Sequence, residues 1–167
     1  MKLAQQLIRH FSNQGSKAKY EIVMPSYYVA PKTLFTDLPK NISLPPYAET
    51  GIPTESNSFK KPELKNSVDI ESMRKSCQLA KMVLHAAGKL AKPGVTTQMI
   101  DDFVFEMIVS HGAYPSPLNY HGFPKSVCTS VNNCACHGIP DSRPLCDGDI
   151  INIDVTVYLV SEFNFYF

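Results

Sequence analysis

The chain has 167 residues, of which 44% are hydrophobic, and its formal net charge is +1 at pH 7. This length suits one domain, and the apolar content is ample for a core. The near-zero charge gives no electrostatic case for a nucleic-acid or anionic-membrane partner, and no apolar run is long enough to span a bilayer.

Residues 1–20 are basic and contain no acid, since the first carboxylate is Glu21. Gln5 and Gln6 interrupt the apolar run that a secretory signal would need. Four apolar side chains recur at helical spacing: Leu3, Leu7, Ile8 and Phe11. This pattern is typical of a mitochondrial transit peptide. On the pattern alone, a plain helical or frayed terminus stays open.

Residues 21–65 form a connector rich in proline. Seven of the thirteen prolines of the chain lie in it, and each removes an amide donor and fixes φ, so a regular helix is not expected. Several aromatic side chains are scattered among the prolines: Tyr27, Tyr28, Phe35 and Tyr47. Because these rings would gain by burial, the sequence predicts an extended arm laid over a globular body.

A first amphipathic helix is predicted to begin at Asn66 or Ser67, either of which can cap it, and to end at Pro93-Gly94. Its predicted apolar face is Ile70, Met73, Cys77, Ala80, Val83, Leu84, Ala87 and Leu90. Cys77 lies on this face and is expected to be a small buried residue. His85 lies off the face and is expected at the surface.

A second helix is predicted to follow, with Thr96 or Thr97 as its cap and Gly112 as its stop. Its predicted core face is Ile100, Phe103, Val104, Met107 and Ile108. Two helices followed by short strands and turns favour an α+β fold. In such a fold the helices cover one face of a largely antiparallel sheet.

The last predicted strand begins at Ile151, after the turn residues Asp147-Gly148-Asp149. Its apolar residues alternate with polar ones and are expected on one face: Ile151, Ile153, Val155 and Val157. Asp154 falls on the other face, in mid-strand, where Asp is uncommon. A buried carboxylate there would need hydrogen bonds, a cation or a metal. An ordinary solvent-facing Asp is the alternative.

The five cysteines suggest free thiols in a reducing compartment, because their number is odd and no secretory signal is present. The run Cys134-x-Cys136-His137 leaves a zinc site or a catalytic Cys–His pair open. Zinc is disfavoured because a second ligand pair does not follow. The catalytic pair is disfavoured because adjacent residues in a strand point to opposite faces.

Three long motifs carry a resemblance to a known family: NYHGFPKSVCTSV from Asn119, CHGIPDSRPL from Cys136 and DGDIINIDVTVY from Asp147. They closely resemble the type 1 methionine aminopeptidases, and most of all the eukaryotic mitochondrial form. The resemblance covers roughly residues 67–158. It implies the pita-bread fold, in which two related halves enclose a metal site, and the chain is expected to contain the N-terminal half.

The resemblance divides the chain into four segments. Residues 1–20 would be a transit segment and residues 21–65 an N-terminal extension. Residues 66–158 would be a partial catalytic domain, and residues 159–167 a divergent apolar tail. This tail stands where the family continues with a Gly-Asp-Thr motif. The chain is therefore expected to be truncated, with the second Asp ligand, the ligand His and both ligand Glu residues lacking counterparts.

The resemblance also assigns roles to six residues. His137 matches a histidine that binds substrate and stabilises the transition state, and Asp154 matches the first carboxylate ligand of the metal centre. His121 matches a histidine found near the site in some members. The remaining three match positions that line the pocket for the methionine side chain: Tyr120, Phe123 and Cys128.

The implied activity is hydrolytic removal of the initiator methionine from N-terminal Met peptides or nascent proteins. Two divalent ions of the Co, Mn, Fe or Zn class would activate the attacking water. The mitochondrial matrix is the expected location, with the cytoplasm as the alternative. Because one carboxylate cannot hold two ions well, at most weak metal binding and no activity are expected of this chain alone. A catalytically silent peptide-binding or regulatory fragment is the alternative function.

Overall fold

A computed structural model describes residues 21–24, 38–53 and 64–159. The predicted transit segment, and all of the predicted tail except Leu159, lie outside these ranges. The described part contains two helices followed by four short strands. They are α1 (Ser67–Leu90), α2 (Thr97–Ser110), β1 (Tyr114–Pro115), β2 (Cys128–Val131), β3 (Ile151–Asp154) and β4 (Val157–Tyr158).

Helix α1 begins where the sequence predicted, because Asn66 caps it. The Asn66 side chain accepts from the backbone N–H groups of Val68 and Asp69, and the Asp69 carboxylate accepts from the Asn66 N–H. This reciprocal arrangement satisfies amide donors that a helix N-terminus otherwise leaves without partners. The helix ends at Leu90, shortly before Pro93-Gly94.

The predicted apolar face of α1 is only partly correct. Val83 and Ala87 are buried, and so is Leu79, which the prediction omitted. Three members of the predicted face are exposed: Ile70, Cys77 and Leu84. The prediction that Cys77 is buried was therefore wrong. The contacts with α2 and the strands select a narrower and slightly rotated face, which spacing alone does not define. His85 is exposed, as predicted.

Helix α2 begins after Thr96, whose hydroxyl accepts from the Met99 N–H at 3.1 Å. Its buried face contains Ile100, Val104 and Ile108. Phe103 was predicted on this face and is 37% exposed, so that assignment was wrong. Neither helix in the described ranges combines the length and apolar character needed to cross a bilayer.

The four strands form two antiparallel pairs within the described residues, β1 with β4 and β2 with β3. The predicted alternation holds through Thr156, because Asn152, Asp154 and Thr156 are exposed. Tyr158 was predicted on the same face but is buried. The chain changes partner after Asp154, from β2 to β1, and this break places Tyr158 in a second core.

The first core lies between the helices and the strands and includes Val83, Ile100, Val104, Val127 and Val157. The second core joins residues 38–53 to the body. In it Leu38, Ile42 and Ala48 contact Tyr114, Leu118 and Tyr158. Residues 38–53 therefore pack directly beside β1 and β4.

A buried ion pair connects α2 to the residues just before β2. Lys125 and Asp101 are each 2% exposed, and the Lys125 Nζ lies 3.8 Å from the Asp101 Oδ2. The Lys125 Nζ also donates to the Gln98 Oε1, and the Ser126 N–H donates to the Asp101 Oδ1 at 2.7 Å. Burial raises the Asp101 pKa to about 6, although Ser126 and Lys125 both act to lower it.

We predict that Lys125→Met destabilises the fold in a pH-dependent way. At pH 7.5 the substitution leaves an ionised Asp101 buried without its cation, at a cost of about 3–5 kcal/mol. Below pH 5 Asp101 is protonated in the folded state, so the loss should be clearly smaller. Urea unfolding followed by circular dichroism at both pH values measures it.

The matched control is Lys92→Met, because Lys92 is exposed near the end of α1. This control should change the free energy of unfolding by no more than about 0.5 kcal/mol. An equal loss for Lys125→Met at both pH values would contradict the assigned role of the Asp101 charge.

Candidate functional site

The structure brings the six predicted site residues to one cavity of about 540 Å³. They are Tyr120, His121, Phe123, Cys128, His137 and Asp154. The sequence predicted these six from a resemblance, and the fold places them together although they come from two loops and two strands. Their individual roles remain predictions.

Cys128 and Asp154 are neighbours because of strand register. They are directly opposite partners in the antiparallel pair β2–β3. Side chains of directly opposite residues lie on the same face of the sheet, with Cβ atoms about 5 Å apart. Cys128 is buried, whereas Asp154 is exposed. The pairing therefore places a buried sulfur beneath a carboxylate that faces solvent.

His137 reaches the same place from the loop on the other side of β2. Its Nδ1 lies 4.0 Å from the Cys128 Sγ. The loop is held by the next residue, since the Thr129 N–H donates to the Gly138 O at 2.9 Å and the Gly138 N–H donates to the Ser130 Oγ at 3.1 Å. These bonds fix the position of the loop backbone from which the His137 side chain extends.

Gly138 is required by this close approach. A Cβ at position 138 would lie 2.1 Å from the Thr129 O, far below any real contact distance. His137 itself has φ of 53°, a left-handed conformation that is uncommon for residues other than glycine. The loop thus accepts backbone strain in order to present the imidazole beside Cys128.

The three side chains form one cluster of possible metal ligands. One ligand atom from each of Cys128, His137 and Asp154 lies within 4.8 Å of the others. Within the described ranges this is the only such group, and Cys134 and Cys136 do not belong to one. Of the two alternatives left open for Asp154, the structure supports the solvent-facing one, because the residue is exposed.

The cluster does not fit two carboxylate-bridged ions. Asp154 is its only carboxylate, and the other donors are a thiol and an imidazole. Burial, followed by the nearby Asp154 charge, raises the pKa of the Cys128 thiol to about 11. The thiol is thus neutral near pH 7 in the absence of a cation, unlike an activated cysteine nucleophile.

Aromatic rings line the other side of the cavity, around a 3-10 turn at Tyr120–Gly122. Two residues of this loop have left-handed backbone conformations, Asn119 with φ of 61° and His121 with φ of 48°. The Tyr120 and His121 rings contact edge to face, with centroids 4.7 Å apart. This turn exposes both rings to the cavity.

Tyr47 also lines the cavity, and the sequence did not predict it as a site residue. Its ring contacts Tyr120 edge to face at 5.1 Å, and its hydroxyl donates to the Ser116 O at 2.7 Å. Burial raises the Tyr47 pKa to about 12, so the phenol stays a neutral donor. The only feature of the sequence that pointed to Tyr47 was its aromatic side chain within a proline-rich stretch.

Asn119 holds residues 38–53 in place beside this turn. Its side-chain Nδ2 donates to the Ala48 O at 2.8 Å. Gly51 approaches the same residue closely, because a Cβ there would lie 3.1 Å from the Asn119 Oδ1. These contacts explain why a residue as distant in sequence as Tyr47 belongs to the cavity.

We predict that Gly138→Ala displaces the His137 loop from β2. The added methyl group meets backbone rather than a movable side chain, so a loss of at least about 2 kcal/mol in the free energy of unfolding is expected. Urea unfolding gives the loss, and the NMR shift of the His137 ring protons reports the displacement.

Gly88→Ala is the matched control, because no atom would lie within 4 Å of its Cβ and the residue is inside α1. Alanine is the better helix former, so this control should be neutral or stabilising. Equal effects of the two substitutions would refute the steric argument.

The chain matches the family described as metallopeptidase family M24 over residues 71–161. It is 60% identical over 122 residues to the human protein named methionine aminopeptidase 1D, mitochondrial, covering 72% of this chain and 36% of that protein. It is 47% identical over 154 residues to the zebrafish (Danio rerio) protein of the same name, covering 92% of this chain and 44% of that protein.

A solved methionine aminopeptidase from Rickettsia prowazekii superposes with a TM-score of 0.57 at 48% identity. The match covers 58% of this chain and 39% of that one. The chain thus spans between a third and a half of the length of these relatives. The predicted α+β class and pita-bread fold are confirmed. The chain belongs to metallopeptidase family M24.

Proposed function

We propose that this chain carries the methionine-binding side of an aminopeptidase that removes N-terminal methionine by hydrolysis. The observation that supports this most directly is the cavity of about 540 Å³, which is lined by aromatic rings and by the Cys128 sulfur. His137 and Asp154 line the same cavity beside Cys128. An apolar enclosure with a few convergent polar groups is the usual form of a small-ligand site.

The methionine side chain is the ligand that this enclosure fits best. A thioether is soft and polarizable and makes favourable contacts with the edges of aromatic rings. Tyr120, Phe123 and Cys128 offer two such rings and a second sulfur. A charged or hydroxylated side chain would lose its hydration there with few groups to replace it.

The polar residues then orient the peptide backbone. His137, whose Nδ1 faces Cys128 at 4.0 Å, is placed to donate a hydrogen bond to the carbonyl oxygen of the first residue, where negative charge develops during hydrolysis. The exposed Asp154 carboxylate lines the cavity, where its negative charge would attract the N-terminal ammonium group of the peptide.

The metal chemistry of the family is not assigned to these residues. Two divalent ions of the Co, Mn, Fe or Zn class are proposed for the whole enzyme, following the metallopeptidase family description. The described donors include one carboxylate and do not fit two ions, so activation of the water is attributed to none of them. The proposed substrates are Met peptides and nascent proteins.

The proposed location is the mitochondrial matrix, with the cytoplasm as the alternative. The human and zebrafish relatives are both named mitochondrial. The basic, acid-free composition of residues 1–20 supports the same location.

A second candidate function is a catalytically silent peptide-binding module. The observation that favours it is the contrast between a formed cavity and a small donor set. The cavity wall is formed in the described residues, since Tyr47 and Tyr120 come from two separate segments and their rings are in contact. The metal ligands, by contrast, number three in the described residues.

We predict that the chain binds the peptide Met-Ala-Ser and that Tyr120→Ala weakens this binding about 10- to 100-fold. Loss of one aromatic wall removes about 1.5–3 kcal/mol of apolar contact. Isothermal titration calorimetry measures the dissociation constants. Lys-Ala-Ser is the matched ligand control and should bind at least about 10-fold more weakly.

His137→Ala should also lower the affinity of the chain for Met-Ala-Ser. His85→Ala should leave this affinity unchanged, since His85 does not line the cavity. Equal affinity for Met-Ala-Ser and Lys-Ala-Ser would refute a methionine site.

We predict that the 167-residue polypeptide releases no methionine from Met-Ala-Ser, even with added Co²⁺ or Mn²⁺. The described residues provide one carboxylate where a two-ion centre needs several. Released methionine is quantified by mass spectrometry over hours. Sustained turnover would overturn this expectation, and binding without turnover would favour the silent module for the chain as tested.

A further inference from the structure

We propose that Cys128, His137 and Asp154 form a binding site for a single Zn²⁺ ion. The proposal starts from a mismatch: the donor set that the fold assembles does not suit two carboxylate-bridged ions. It is, however, well suited to one ion that accepts sulfur, nitrogen and oxygen together.

The three ligands come from three adjacent segments whose relative positions are fixed by backbone hydrogen bonds. Cys128 on β2 faces Asp154 on β3 as its register partner. The His137 loop is held to β2 by the bonds between Gly138 and both Thr129 and Ser130. A site on paired strands is more precisely held than one on free loops.

The distances fit a single ion after small side-chain rotations. Two ligand atoms of a tetrahedral zinc ion, one sulfur and one nitrogen, lie about 3.5 Å apart. The Cys128 Sγ and the His137 Nδ1 are 4.0 Å apart, and all three ligand atoms lie within 4.8 Å of one another. His137 and Asp154 are both exposed, so each can close the remaining gap without disturbing the core.

The donor types select the metal. Mg²⁺ and Ca²⁺ require mainly oxygen ligands, of which this cluster offers one side chain. A thiolate, an imidazole and a carboxylate suit Zn²⁺, with Co²⁺ as its usual spectroscopic substitute. Binding displaces the Cys128 thiol proton to solvent, since the thiolate is the ligand form. The fourth position opens to the cavity, as in zinc sites with three protein ligands.

Zinc and peptide would compete for this site, an inference that rests on the proposed function. Cys128 and His137 both line the cavity assigned to the methionine side chain. An ion held between them places charge and bound water where the thioether would lie. Zinc binding is thus expected to weaken the binding of Met peptides, which would make the chain responsive to zinc.

Titration of the zinc-free full chain with Co²⁺ tests the metal site. We expect one Co²⁺ per chain and a near-ultraviolet absorption band of cobalt–thiolate origin. Cys128→Ser should abolish the band. Asp154→Asn and His137→Gln should each lower the affinity for Zn²⁺ at least about 10-fold, as measured by competition with Co²⁺. Cys77→Ser and Cys136→Ser are matched controls, since both thiols are exposed and outside the cluster.

Circular dichroism checks that each variant folds, and the exposed position of Asp154 makes Asp154→Asn the safest of the three in this respect. The absence of one-to-one binding would overturn the proposal. A thiolate band that survives Cys128→Ser and is lost in Cys136→Ser would also overturn it, because the ion would then sit at the Cys134-x-Cys136 run.

The competition is tested separately by calorimetry with Met-Ala-Ser. Saturating Zn²⁺ should weaken the binding of the peptide at least about 10-fold in the unmodified chain, and the same effect in Asp154→Asn should require at least about 10-fold more Zn²⁺. Failure of the zinc-free chain to bind the peptide would overturn the proposed function and leave the zinc site standing. One-to-one zinc binding without any effect on the peptide would overturn the competition alone.

Discussion

The position of strand β2 is the constraint on which the cavity depends. On one edge β2 pairs with β3 and places Cys128 opposite Asp154. On its other edge Thr129 binds Gly138 and so positions His137. Just before the strand, Ser126 donates to the buried Asp101 of α2. A shift of β2 by one residue would turn Cys128 away from Asp154, because successive side chains of a strand point to opposite faces. The relative positions of Cys128, Asp154 and His137 in the cavity therefore depend on the register of β2.

The residues that precede β2 are bonded to a buried charged residue, Asp101. Asp101 accepts the Ser126 N–H at the price of its own desolvation, which raises its pKa to about 6. Lys125 reduces this cost but does not remove it, and Gln98 accepts a hydrogen bond from Lys125. Buried ion pairs are weak sources of net stability, and their better-attested role is to specify one arrangement over others. The pair joins α2 to the residues that open β2, so specification of the strand's position is the role we infer for it.

Capping residues and apolar spacing predicted where the helices begin, but they predicted less well which side chains are buried. Asn66 and Thr96 were predictable caps because an N-terminal cap depends on a few neighbouring residues. Cys77 and Phe103 were assigned to the core because a spacing of three and four residues defines a broad face, whereas the neighbouring elements cover only part of it. Tyr158 departs from the alternation because the strand changes partners. Within the cavity, the motif residues were found by resemblance, but Tyr47 was not, because its place depends on how residues 38–53 pack.

One part of the cavity wall forms without the metal ligands, although the ligands line the same cavity. The contact between Tyr47 and Tyr120 and the anchoring of residues 38–53 by Asn119 involve none of the three ligand residues. All three ligand residues, Cys128, His137 and Asp154, also line the cavity. The contact between Tyr47 and Tyr120 therefore needs no metal centre, whereas an ion held by Cys128, His137 and Asp154 would occupy the space proposed for a methionine side chain. These three shared side chains are thus where the proposed peptide site and the proposed zinc site exclude each other.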